Sequence, residues 1–481
     1  MPHLDFTVVD DIVAEFHDRR HAPGLQVAVL AGGRALHLSG HGIADAATGA
    51  SVGAESVFRI ASMSKSFTAA AILQLRDRGL LQLDDPVARH LPAAMGLSGP
   101  TADSPPITLR HCLTMSSGLP SDDPWADRQE EMPQDAFDDL LARPVAGAYA
   151  PGTAFAYSNL GYAILGRVVE AITGRRFIDH VTSELLKPLG MVDTTYDYRT
   201  VPPECLAQGY RPTRGGDWEP QRFTAPGSFS AIGGLLSTVG DIARWAAWLS
   251  DAFPPRDGSD DAVLARASRR EMQQSHRLLP FDVVEGPGGQ NRLVSKGFPW
   301  GLSGYGYGLF VESAPESGPI SQHLGGYPGF GSYMGWHQGS GLGVVAFANG
   351  TYAPVAAPAR AALEALLGQC RPGRDGVGPS AQLRATLGLV ERVIADPFAL
   401  QEPAFAGNVL LDIPLGERVA AITDARSMVG EPEGQAEIEM RSPTEATYRL
   451  PAARGRLDVS VAMTPTDPPR IHTFAVQAVE R

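Results

Sequence analysis

The run Phe58-Arg59-Ile60-Ala61-Ser62-Met63-Ser64-Lys65-Ser66-Phe67-Thr68-Ala69-Ala70-Ala71-Ile72-Leu73 puts a serine three residues before one of only three lysines in a chain with 40 basic residues. Its continuation predicts a helix over about 62–79, which sets Ser62 and Lys65 on one face a single turn apart. A serine hydroxyl is a weak nucleophile at neutral pH and needs a neighbouring base. A lysine buried beside it loses its proton near neutrality once desolvation lowers its pKa. The helix start leaves the Ser62 N–H without an intrahelical partner, able to face a developing oxyanion. Taken alone, the same residues read equally well as a helix start followed by a surface lysine.

The 481 residues allow two or three domains and at least one large core. A hydrophobic fraction of 43% and a charged fraction of 19% are those of a globular protein. A formal charge of -13 with no compensating basic run disfavours nucleic acid or an anionic membrane as the main partner. Cys112, Cys205 and Cys370 are too few and too scattered for a disulfide framework, and no metal-type spacing occurs, so no metal site is expected. The start, Met1 to Asp11, has no basic apolar leader, and no stretch reaches membrane-spanning length; a cytoplasmic location is the expectation.

Working outward, residues 8–19 carry apolar positions at helical spacing, and 25–30 with 35–39 form an expected hairpin around Gly32-Gly33. Residues 95–106 and 119–135 are rich in Pro, Ser, Gly and Asp and read as loops. A helix is expected over 159–173, with Leu160, Ile164, Leu165, Val168 and Ile172 in one stripe and Gly174 ending it. Another covers 241–249, with Thr238 as its cap. Strands are expected over 304–311, 331–337 and 342–349, and a helix over 356–367 closes this part. The expected architecture is α+β: an antiparallel sheet flanked by helices, plus a helical lobe, with a cleft between them. A turn-rich linker over 371–380 separates this domain, 1–370, from an accessory α+β domain at 381–481, with a helix near 381–395 and later antiparallel strands.

Two further segments suit the Ser62 chemistry. Tyr157-Ser158-Asn159 lies just before the 160–172 helix. The tyrosine hydroxyl is a candidate proton relay or, if Lys65 lowers its pKa, a general base, and the Asn159 amide both donates and accepts. A packed tyrosine followed by a helix cap is the plainer reading of the same residues. His323-Leu324-Gly325-Gly326 reads as a strand whose glycines let a substrate lie along its edge, with the Gly326 N–H as a second oxyanion donor.

With Ser62-x-x-Lys65, Tyr157-x-Asn159 and His323-x-Gly325 in this order, residues 10–367 resemble the serine β-lactamase and penicillin-binding-protein superfamily. The similarity is greatest to its class C β-lactamase, D-aminopeptidase and esterase branch. Ile107 to Pro120, Pro151-Gly152-Thr153, Leu186 to Met191 and Gly233 to Thr238 support it. The resemblance implies a β-lactamase/transpeptidase-like fold and a covalent acyl-enzyme on Ser62, with Lys65 as its activator and Tyr157 as proton shuttle. It implies that Asn159 orients Lys65 and the substrate, that His323 and Gly325 line the substrate strand, and that the Ser62 and Gly326 N–H groups bind the oxyanion. Penicillin-directed members of the family commonly carry Lys-Thr-Gly where this chain has His323-Leu324-Gly325. A histidine there is largely neutral above its ordinary pKa of about 6.5, which weakens recognition of a carboxylate.

The expected function is therefore a serine hydrolase for a small ester, amide or short peptide, needing no cofactor. Esterase or D-amino-acid amidase ranks first, D-peptidase second and weak β-lactamase third. The alternatives are an acyltransferase of the same fold or a non-catalytic binding protein. Self-association through the C-terminal domain is a further expectation.

Overall fold

The computed structural model describes residues 4–18, 21–32, 34–285, 291–297, 301–314, 318–370 and 380–480. The chain divides into two compact units, Met1–Gly373 and Arg374–Arg481. The expected linker at 371–380 lies, apart from Ser380, outside the described residues.

In the first unit α1 (Thr7–Asp18) leads into the hairpin β1 (Gly24–Ala31) and β2 (Arg34–Asp45), with β3 (Ala50–Ser51) at its margin. After α2 (Lys65–Asp77), α3 (Asn159–Thr173) and α4 (Val239–Ser250) the chain returns to the sheet. It adds β4 (Arg277–Leu278), β5 (Leu302–Tyr305), β6 (Phe310–Ala314), β7 (Gly318–Tyr327), β8 (Phe330–His337) and β9 (Gly343–Ala348), then ends in α5 (Ala356–Gln369). The nine strands run β4-β5-β6-β7-β8-β9-β1-β2-β3, so the late strands join the early hairpin through the β9–β1 pair. Central position explains why β1, β8 and β9 are buried along their whole lengths: both faces are covered, and their sequences run apolar rather than alternating.

One face packs against α1 and α5 through Val9, Val13, Phe16, Leu363 and Leu366. The other belongs to a larger core in which Phe67 of α2 stacks on Trp245 of α4 at 3.9 Å. Helix α2 is buried from Lys65 to Leu75, which a helix lying between sheet and lobe requires. Helix α3 begins on the Ser158 cap and ends at Gly174, whose φ is 66°.

Several expectations need correction. The expected strand 304–311 is two strands, β5 and β6, separated by a turn at Gly306 to Leu309. The expected loop 119–135 holds a short helix, Asp123–Ala126, with proline in its first turn, a position where the missing N–H costs nothing. A two-stranded ribbon, Phe281–Glu285 with Asn291–Ser295, has no counterpart among the expected elements. The first turn of the expected 62–79 helix is a 3-10 turn, Ala61–Ser64.

The second unit contains a four-stranded antiparallel sheet in chain order, Glu437–Ser442, Glu445–Ala452, Gly455–Met463 and Ile471–Glu480. Short helices precede it, and the helix Leu415–Val429, not anticipated from sequence, packs on it through Ile422, Ala425 and Val429. This is an α+β module with its own apolar core.

Candidate active site

Ser62 sits in the 3-10 turn directly before α2, and Lys65 is the first residue of that helix. Lys65 is fully buried and donates to Ser62 Oγ at 2.9 Å and to the Ile232 carbonyl at 2.9 Å. Burial pulls its pKa down to about 8, while Asp123, Asp127 and Asp122 act in the opposite direction. The ammonium also lies 5.0 Å from the centre of the Tyr157 ring.

Tyr157 lies beside Ser62, whose hydroxyl acts to lower its pKa. Burial, followed by the charge of Asp123, holds its phenol well above the ordinary value. The expectation of a tyrosine whose pKa Lys65 lowers is thus corrected: the group is a neutral phenol, a proton donor rather than a phenolate base. Ser158 caps α3 by accepting the Gly161 N–H at 3.4 Å, so the plainer reading of the segment, a helix cap, holds for Ser158. Asn159 is fully buried, yet its side-chain N–H goes to Asp123, leaving Oδ1 without a partner. Asp122 accepts the backbone N–H groups of Asn159 at 2.7 Å and Leu160 at 2.9 Å, a carboxylate on the positive end of α3.

On the sheet side, His323 is fully buried. Its Nδ1 faces the Leu324 carbonyl at 2.7 Å, an acceptor only, so Nδ1 carries the proton and Nε2 accepts from the Tyr305 hydroxyl at 3.2 Å. Burial and then the nearby Lys65 lower its pKa to about 3, which keeps the ring neutral. The Pro319 carbonyl accepts from Gln338 N on the β8 side, so by the strand's two-residue alternation odd-numbered residues of β7 bond toward β8 and even-numbered ones toward β6. Pairing with β6 stops at Gln322. Leu324 and Gly326 therefore turn their backbone groups to a strand edge that β6 does not cover. Gly325 packs against the turn that carries Ser62: a Cβ there would stand 2.3 Å from Ser332 Oγ and 2.4 Å from the Ile60 carbonyl. Ser332 Oγ itself donates to that carbonyl at 2.7 Å.

The structure thus brings Ser62, Lys65, Tyr157 and His323 into one constellation and lays β7 along it. Sequence reasoning missed the carboxylates of Asp122, Asp123 and Asp127 and the Ile232 carbonyl. It also missed the buried Arg59–Glu130 pair, whose carboxylate accepts from the Tyr327 hydroxyl at 2.8 Å. The Asp122-Asp123-Pro124 triplet, acidic residues running into a proline, carried a helix-start signal for the first group. Among the described residues only Ala61, Met115 and Tyr352 combine a side chain with left-handed φ, at 48°, 52° and 50°. Ala61 precedes Ser62, Met115 accepts the Ser158 N–H, and Tyr352 packs on Gly326. Such strain gathers where surrounding structure fixes a functional geometry.

The family model described as Beta-lactamase matches residues 9–369. The chain belongs to the beta-lactamase family. Penicillin-binding protein 4* of Bacillus subtilis (strain 168) is 26% identical over 328 residues, 64% of this chain and 64% of that one, so less than two thirds of its length is spanned. AmpH of Escherichia coli (strain K12), a D-alanyl-D-alanine-carboxypeptidase/endopeptidase, is 31% identical over 58% of this chain and 67% of its own. Penicillin-binding protein 4 of Amycolatopsis lactamdurans is 31% identical over 63% and 81% respectively. In fold, this beta-lactamase-family chain matches the octameric penicillin-binding protein homologue from Pyrococcus abyssi with a TM-score of 0.65. That match has 20% identity and covers 98% of this chain and 100% of the other. Among the described residues no group of three His, Cys, Asp or Glu side chains is placed to hold a metal ion, and no helix is long and apolar enough to cross a membrane.

Proposed function

We propose that this chain is a serine hydrolase that forms an acyl-enzyme on Ser62 from a small ester or amide. The observation that carries this reading is a fully buried lysine, with its pKa drawn down to about 8, donating to a serine hydroxyl at 2.9 Å. In its neutral form Lys65 takes the Ser62 proton as Oγ attacks the carbonyl carbon. The carbonyl oxygen, now negative, is held by the N–H groups of Ser62 and Gly326, the latter on the open edge of β7. Tyr157, a neutral phenol beside Ser62, relays the proton to the departing alcohol or amine. Water, deprotonated through the same groups, then releases the acid and restores Ser62. Asn159 and Asp123, joined by a hydrogen bond, steady the lobe side of the site, and His323 orients Tyr305 and the start of the edge.

Small esters and D-amino-acid amides rank first as substrates, short D-peptides second and β-lactams third. A neutral His323 supplies no fixed positive charge for a β-lactam carboxylate, which supports that order. AmpH and the penicillin-binding proteins among the relatives support the peptide reading. Incubation with p-nitrophenyl acetate and nitrocefin in parallel tests it, with Ser62→Ala as control. The expected result is ester turnover that falls at least about a thousandfold in the variant, with little nitrocefin cleavage. Fast nitrocefin turnover would overturn the ranking, and absence of any Ser62-dependent product or adduct would overturn the reading.

Self-association is part of the same proposal, supported by the octameric homologue's alignment over nearly the whole chain, and the C-terminal domain is the proposed contact. Light scattering on the full chain is expected to give a multiple of 51.0 kDa. A monomer mass would contradict it.

A further inference from the structure

Tyr352 has no part in the chemistry above, yet it is held from several directions. Its N–H is shared between the Tyr327 carbonyl at 3.3 Å and the Phe330 carbonyl at 3.2 Å, the two residues that close the β7–β8 hairpin. The preceding Thr351 is pinned as well, its hydroxyl accepting the Gly329 N–H at 2.8 Å and donating to the Tyr210 carbonyl at 2.9 Å. The Tyr352 hydroxyl donates to Asp127 Oδ2 at 2.9 Å, in the loop of the helical lobe. Its ring covers Gly326 so closely that a Cβ on that glycine would stand 2.7 Å from Cδ1. Backbone at φ 50°, unfavourable for tyrosine, is kept by these contacts. The residue nevertheless remains 45% exposed, so it is not sealed into the core.

The direction of the substrate follows from the positions of the groups. Tyr157, which protonates the leaving group, lies by His323, at the beginning of the uncovered stretch of β7. The oxyanion donor Gly326 lies toward its end. The leaving group therefore lies toward His323, and the acyl portion runs the other way, past Gly326. There it meets the Tyr352 ring, tied across to the lobe through Asp127.

We propose that Tyr352 is a specificity-determining wall that limits the length of the acyl group, with Asp127 holding it in place. The proposal rests on the hydrolase reading given above. It gives the glycine at 326 a second reason: the ring occupies the space a side chain would take.

The test compares p-nitrophenyl acetate with p-nitrophenyl octanoate on the full chain, reading kcat/KM for each. Tyr352→Asn and Tyr352→Gly both remove the ring and suit the left-handed backbone, so folding is retained in at least one of them, as a thermal melt confirms. In the wild type acetate is preferred. In the ring-deleted variants the octanoate-to-acetate ratio rises about tenfold or more, and in Tyr352→Phe, which keeps the ring and loses only the Asp127 bond, it rises less. An unchanged ratio in a folded ring-deleted variant overturns the wall.

If neither ester is turned over, methyl- and octyl-phosphonofluoridates replace them. Ser62 Oγ forms the bond to phosphorus, fluoride departs, and Lys65 takes the serine proton. The ratio of labelling rates, followed by intact mass, then decides the wall by the same criterion while the turnover reading alone has failed. No Ser62 adduct from either reagent overturns both.

Discussion

In the mechanism proposed above Lys65 carries the pH dependence. There its neutral form is the base, so kcat/KM for an ester should rise with pH through about 8, the value to which burial lowers it, and level off above. Asp123, the strongest of the carboxylates that hold the charged form in place, sets where that limb falls. Replacing it in Asp123→Asn removes an attraction for the ammonium, so the ascending limb moves to lower pH while amide bonding to Asn159 remains possible. A pH profile of ester hydrolysis for both proteins checks this, and a limb displaced upward would contradict the assignment. The Ser62–Lys65 relation was legible in sequence because a three-residue spacing becomes one helical turn whatever surrounds it. Asp123 was not, since its effect on Lys65 depends on the short helix Asp123–Ala126 being brought near the start of α2, and local sequence does not encode that approach. Tyr157 shows the same limit: its position before α3 was readable, but the sign of its pKa shift depends on burial and on Asp123.

The elements that sequence predicted well announce themselves locally. Helix α3 has a serine cap, an apolar stripe and a terminal glycine, and its observed bounds, Asn159–Thr173, agree with the expected ones. Thr238 likewise caps α4 by accepting the Asp241 N–H at 3.2 Å. Glycine-rich Gly304 to Gly308 misled, because alternating apolar residues continue across a turn that only tertiary packing reveals. The helix Leu415–Val429 was missed for the opposite reason: its apolar residues form no single stripe, Val419, Ala420, Ala421 and Met428 lying outside the buried set of Ile422, Ala425 and Val429. At the level of elements the constraint that bears on the site is the close approach of β7 to the turn that carries Ser62. A methyl group at Gly325 would collide with Ser332 Oγ and the Ile60 carbonyl, the latter being backbone that cannot turn aside. Gly325→Ala should cost about 1–3 kcal/mol by overpacking. It should also reduce ester turnover further than stability alone explains, because the edge carrying Gly326 moves away from Ser62. Urea unfolding and kcat/KM measured on the same preparation check this. Wild-type values for both would show that the strand has room to shift.

Across the whole molecule, the order of the sheet was only partly readable, since joining β9 to β1 pairs residues more than 300 positions apart and no local pattern records that partnership. One buried ion pair joins residues 71 positions apart and ties parts of the first unit together. Arg59, on the two-residue strand Phe58–Arg59 before the turn that carries Ser62, meets Glu130 of the lobe loop, and the two side chains are 1% and 2% exposed. Glu130 also accepts from the Tyr327 hydroxyl at the end of β7 and from Thr224 Oγ1 at 3.1 Å, while Arg59 lies 4.7 Å over the Tyr327 ring. Desolvation makes such a pair a poor source of net stability when intact. Removal of one member is costly because the other is left charged and buried. Glu130→Leu should therefore destabilise the first unit by about 3–5 kcal/mol, whereas Arg59→Met/Glu130→Leu, with no stranded charge, should recover at least half of that loss. All six tryptophans fall between Trp125 and Trp336, so tryptophan fluorescence in urea reports the first unit without a signal from residues 374–481. A single variant unfolding within about 0.5 kcal/mol of wild type, or a double variant no better than the single, would mean that the pair does not clamp the lobe to the sheet.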